Sequence, residues 1–165
     1  MIIDATFWVA ISFFIFLGVL IYFKVPQKII STLVKNSSQP ITAKVRLGYK
    51  KNDIINIAEA VEQGGASAIC VHARTSVSKR GDKADWAEIK KVKEHVSIPV
   101  IGNGDVLSGN NAKNMLKKAD FAMIARGCIG DPHIFKRLNT FLKDGTVLDA
   151  PDKKMKIKMF KDYYK

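Results

Sequence analysis

The chain has 165 residues, with 27 lysines and arginines against 15 acidic residues, a formal net charge of +12. That length accommodates one domain plus an appendage, and the charge points to nucleic acid, a membrane surface or merely a lysine-rich surface. The only cysteines, Cys70 and Cys128, have no metal-ligand spacing, which argues against a zinc module and for buried reduced thiols in a cytosolic compartment.

Residues 5–23 (ATFWVAISFFIFLGVLIYF) form an uncharged apolar run. As a helix rising 1.5 Å per residue it covers roughly 28 Å, close to the hydrocarbon thickness of a bilayer. Trp8 and Tyr22 flank it as interfacial aromatics, and Lys24, Lys28 and Lys35 follow it. One membrane span is expected there, with the remainder cytoplasmic by the positive-inside rule. A signal peptide fits poorly, because a basic leading region and a small-residue cleavage site are missing. Residues 4–30 resemble the membrane anchor of the b subunit of the bacterial F-type ATP synthase, through FWVA, the apolar run and the KVP that ends it at Pro26. That resemblance implies a membrane anchor over residues 1–30. A linker over 31–40, including NSSQP, stands where the stalk helix of that family would continue.

From Ile41 four strand–helix units follow. ITAKVRLG is a strand and residues 53–63 a helix with Ile54, Ile57, Ala58 and Val61 at helical spacing. GGASAICVHA precedes a helix over 86–95, and SIPVIGNGD precedes a helix over 109–118 capped by Ser108. DFAMIARG precedes a helix over about 132–142, with Pro132 at its start. Strands about 25–30 residues apart alternating with helices mark parallel βα units, with a sheet buried on both faces. A doubly wound sheet and a (β/α)8 barrel both fit. The barrel is favoured, as half a barrel, because polar residues cluster at strand C-terminal ends and GxGxxG is absent after the first strand.

GNGD (102–105) and ARGCIG (125–130) follow the last two strands, where barrels commonly bind phosphate. Gly102 and Gly104 let a ligand approach the backbone, Asn103 and Asp105 offer hydrogen bonds, and Arg126 offers a fork for phosphate. Lys44 and Arg46 point to one strand face, where a buried lysine requires an anionic partner. His72 ends an apolar strand with Arg74 two residues on, and a backbone-bonded core histidine is the plainer alternative. His95 and His133 lie on predicted helices.

Together KVRLG, VHARTS, KADW, IPVIGNGD and ARGCIGDPHIF, in that order and spacing over residues 40–165, resemble the tRNA-dihydrouridine synthases. These are flavin enzymes that reduce a uridine of tRNA with a nicotinamide donor, NADPH. The resemblance implies that Lys44, His72, Asn103, Gly104, Asp105, Ala125 and Arg126 contact FMN, and that His72 and Arg74 border the uridine pocket. It implies the second half of a TIM-type (β/α)8 barrel over 41–143, and the start of a helical tRNA-binding domain over 144–165. The family's first four strands and its Asn-x-Gly-Cys-Pro loop, whose cysteine protonates the substrate, have no counterpart here, so no catalytic residue is assigned. Its Tyr-Ser-Gly reads Arg80-Gly81-Asp82, and its glycine before Arg126 reads Ala125. The expectation is an inactive half-enzyme that self-associates through open edges at 41–47 and 121–125. The rival readings are a membrane-anchored structural subunit and another FMN- or phosphate-binding barrel, such as a dihydroorotate-dehydrogenase relative.

Overall fold

The computed structural model describes residues 25–79 and 81–163. In chain order it contains α1 (Val25–Lys35), β1 (Thr42–Arg46), α2 (Ile54–Gln63), β2 (Ala68–His72) and α3 (Trp86–His95). Then come β3 (Val100–Asn103), α4 (Gly109–Leu116), β4 (Phe121–Met123), a 3-10 turn (Arg126–Cys128), α5 (Ile134–Asp144) and α6 (Lys153–Tyr163). The strands form one parallel sheet in the order β1-β2-β3-β4. That order has no reversal, so it lacks the switch point of a doubly wound sheet. The architecture is α/β, four parallel strands alternating with helices, consistent with part of a TIM barrel.

Register separates the two sheet faces. Ile69, Val71, Val100 and Gly102 share one face, and the core packs there against Ile54, Ala58, Ile89, Val92 and Met115 of α2–α4. Seven side chains at the centre of that layer are fully buried: Ile54, Ile69, Val71, Ile89, Val92, Val100 and Met115. Burial of each such side chain stabilises by roughly 1.5–3 kcal/mol. Gly102 belongs to this layer, since a Cβ there would lie 2.2 Å from Met115 Sδ. Its role is close packing of α4, not the ligand approach expected of it. The other face carries Lys44, Cys70, His72, Asn103 and Met123. Lys44, Arg46 and Phe121 are exposed on it, so the expected burial of both faces gives way to a sheet covered on one. Consecutive crossovers of one hand stack the helices on the same side.

The N-terminal boundary also moves. Pro26 lies within α1, which runs on to Lys35, so the described chain is helical past the proline. Ile30 and Val34 of α1 pack over Gly64 and Gly65 at the end of α2, and residues 31–35, read above as linker, complete that docked helix. Asn36 then caps it through Nδ2, 2.8 Å from Thr32 O. Among the described residues no helix is long and apolar enough to cross a membrane, and the run over 5–23 lies outside them.

Candidate functional site

The ends of β2 and β3 and the turn after β4 surround a cleft of about 140 Å³. His72 and Arg74 supply one wall, Asn103, Gly104 and Asp105 the floor, and Ala125 and Arg126 the opposite wall. Of the residues singled out in the sequence, Lys44, Arg46 and Gly102 do not line it. Lys44 lies on the same sheet face, opposite Cys70 in register. Val106, Leu107 and Met123 complete the lining and were missed, because apolar residues after a strand or at its end carry no distinctive sequence signal.

The floor is strained and braced. Gly104 adopts φ 121° and Asp105 φ 56°, both in the left-handed region. A Cβ on Gly104 would lie 2.8 Å from Ala84 Cβ and 3.3 Å from His72 Cδ2, so glycine is required. Trp86 Nε1 donates to Gly104 O at 2.9 Å, which gives the tryptophan of the KADW motif a structural reason. The Asp105 carboxylate accepts from Arg74 Nη2 at 2.9 Å through each oxygen, from Ala84 N at 2.9 Å and from Arg126 Nη2 at 3.3 Å.

Arg74 is 8% exposed, and its guanidinium is consumed internally. Nε donates to Asp82 O at 2.8 Å, Nη2 also reaches Asp82 O, and Nη1 lies 3.3 Å from His72 Nε2. The backbone of Asp82 thus serves where the sequence departs from its expected tripeptide. Asn103 Nδ2 donates to Met123 O at 3.1 Å, which pins β4 to β3 and leaves Oδ1 as the free polar atom. At Ala125 φ is −108° and ψ −95°, so the residue lies outside the positive-φ region that would require glycine. Arg126, 47% exposed, has no partner other than Asp105 among the described residues and keeps spare donors toward the cleft.

Burial works against ionisation of Asp105, but the Ala84 N–H and the Arg74 guanidinium, with Arg126 behind them, outweigh it and hold the carboxyl below its ordinary range. Burial and the positive charges of Arg46, Lys44 and Arg74 hold His72 below its ordinary pKa, against an opposing pull from Asp105. Burial pushes the Cys70 thiol up despite Lys44 nearby, so it is not an activated nucleophile. Among the described residues no His, Cys, Asp and Glu cluster is placed to hold a metal ion. The cleft thus has an exposed arginine on one wall and an imidazole on the other.

Comparison with known proteins gives the family of the chain. The dihydrouridine synthase (Dus) family model matches residues 20–165, so α1 lies inside the family region and the junction expected near Asn36 moves toward the N-terminus. The chain is 38% identical over 128 residues to tRNA-dihydrouridine synthase B of Pasteurella multocida (strain Pm70), which covers 74% of this chain and 39% of that protein. It is 35% identical over 141 residues to a probable tRNA-dihydrouridine synthase of Rickettsia bellii (strain RML369-C), covering 83% and 43%. The chain thus spans about two fifths of the length of these relatives. Among solved structures, the YdjI aldolase of Escherichia coli K12 superposes with a TM-score of 0.44 at 15% identity, over 81% of this chain and 48% of that one, and nothing is carried over from it. The family model extends across every described element from α1 to α6, and the chain belongs to the dihydrouridine synthase family.

Proposed function

We propose that this chain carries the cofactor-holding half of a tRNA-dihydrouridine synthase, the second half of a TIM-type barrel that binds FMN, with NADPH as donor and tRNA as substrate. The observation that supports this most is the convergence of His72, Asn103, Gly104, Asp105, Ala125 and Arg126 on one cleft. A cleft of about 140 Å³ is smaller than the roughly 300–1,000 Å³ of a complete ligand pocket, so it suits one end of a cofactor. Arg126 would hold the phosphate, and the close backbone at Gly104 and Ala125 would admit it. Asn103 Oδ1 and His72 would bond polar atoms further in, and Lys44 would face an anionic ring edge over the open sheet. When bound and reduced, FMN supplies the hydride for the uracil ring.

The cleft residues would orient the cofactor, and neither cysteine among the described residues is placed as its acid. Cys70 lies beneath the open face with a raised pKa, and Cys128 donates to Ala125 O at 3.0 Å within its own turn. Loss of a positioned acid typically forfeits a factor of about 100 to 10,000 in rate. The lysines of α6, at 153, 154, 156, 158 and 161, would hold tRNA phosphates in a salt-sensitive manner. The test is dihydrouridine formation by the purified chain with FMN, NADPH and unmodified tRNA. Salt-sensitive tRNA binding without turnover is expected, and robust turnover by this chain alone would overthrow the half-site assignment.

A further inference from the structure

The contact between Arg74 and His72 has a chemical consequence. A guanidinium offers only N–H donors, so the 3.3 Å approach of Arg74 Nη1 to His72 Nε2 requires that nitrogen to be the acceptor. The imidazole then carries its single proton on Nδ1. Arg74 is held from two sides, because Nη2 lies 2.9 Å from each Asp105 carboxylate oxygen and also reaches Asp82 O, and Nε donates to Asp82 O at 2.8 Å. Gly104 lies against the Cδ2–Nε2 edge of the ring, which leaves Nδ1 on the opposite edge. No hydrogen bond from the described protein reaches Nδ1, and no buried side-chain nitrogen or oxygen is left unsatisfied, so Nδ1 is open to solvent or ligand.

We propose that Arg74, locked by Asp105, is a positioning residue that fixes His72 as a neutral imidazole protonated at Nδ1, so that this wall of the cleft presents one N–H donor to a hydrogen-bond acceptor, a carbonyl oxygen or ring nitrogen of the bound ligand. The groups facing the ring agree with it. Lys44 and Arg46 from β1 and Arg74 itself oppose a second proton, and Asp105, the one group that would favour it, is occupied by two arginines and Ala84 N. The consequence for ligand choice rests on the cofactor-site reading, but the tautomer itself does not.

The experiment is nitrogen-15 NMR of the histidine-labelled full chain, without flavin, between pH 6 and 8. The chain has three histidines, and His95→Gln and His133→Gln assign the His72 signals. The expected result at the neutral end of that range is a pyrrole-type shift at Nδ1 and a pyridine-type shift at Nε2. In Arg74→Met the ring should move to a mixture rich in the Nε2–H form and its titration midpoint should rise. Asp105→Asn, which keeps the side-chain shape, should produce the same change more weakly, and Arg74→Lys should restore part of the wild-type pattern. A charged ring or an Nε2–H tautomer in the wild-type chain would overturn the proposal, as would a pattern unmoved in folded Arg74→Met and Asp105→Asn. Because the readout needs no flavin, a failed FMN titration would bear only on the cofactor reading.

Discussion

Gly104 and Asp105 show how much of the site depends on single backbone positions. At Gly104 an added Cβ meets both unfavourable φ and Ala84, so Gly104→Ala should lower stability by about 1–3 kcal/mol, read as a shift of the urea midpoint at unchanged slope. Asp105 titrates below its ordinary value in the folded state. Its stabilising contribution is therefore complete above the unfolded carboxylate pKa of about 3.9 and is lost as pH falls through the lower folded value. His72 is also depressed, so the fold disfavours its charged form, and stability should decline as pH falls below about 6.5 toward the folded pKa. Denaturant midpoints from pH 7 to 5 should show that decline in the wild-type chain and much less of it in His72→Gln. The types and positions of these residues were legible in the sequence, whereas their partners were not. GNGD and ARG mark polar turns at strand ends, yet nothing in the string says that the Asp105 carboxylate bonds Arg74, which lies 31 residues away.

At the scale of elements, local signals worked wherever cap and period agreed. Ser108 precedes the helical run, and its Oγ accepts from Asn111 N at 3.2 Å. Ser108→Ala should therefore cost about 0.5–2 kcal/mol in thermal or denaturant unfolding. The helix over 86–95 and the four strands stand where alternation and spacing placed them, although β4 closes at Met123, before the ARG turn. The misreadings have physical causes. Residues 31–35 read as linker beside NSSQP, and their place in α1 is recognisable only from the docking of Ile30 and Val34 on Gly64 and Gly65. Apolar strands suggested two covered faces, but composition does not report on which side consecutive crossovers stack. Gly64→Ala should destabilise the α1–α2 contact, since its Cβ would lie 2.8 Å from Ile30 Cβ, and hydrogen exchange should quicken in α1 before the sheet.

For the whole molecule, β1 and β4 are the edge strands of the sheet among the described residues, with Phe121 58% exposed on β4. Such edges template association, so the chain should sediment above its monomer mass at micromolar concentration, and a strictly monomeric species would contradict this. Above this stands the claim that these strand ends form the phosphate side of a flavin site, and Arg126 decides it, as an exposed guanidinium with spare donors beside a close backbone. The direct measurement compares FMN with riboflavin binding to the wild-type chain and to Arg126→Ala. The account predicts tighter binding of FMN, with an advantage of about 1.5–3 kcal/mol that disappears in the variant. Equal affinity of the wild-type chain for FMN and riboflavin would contradict it.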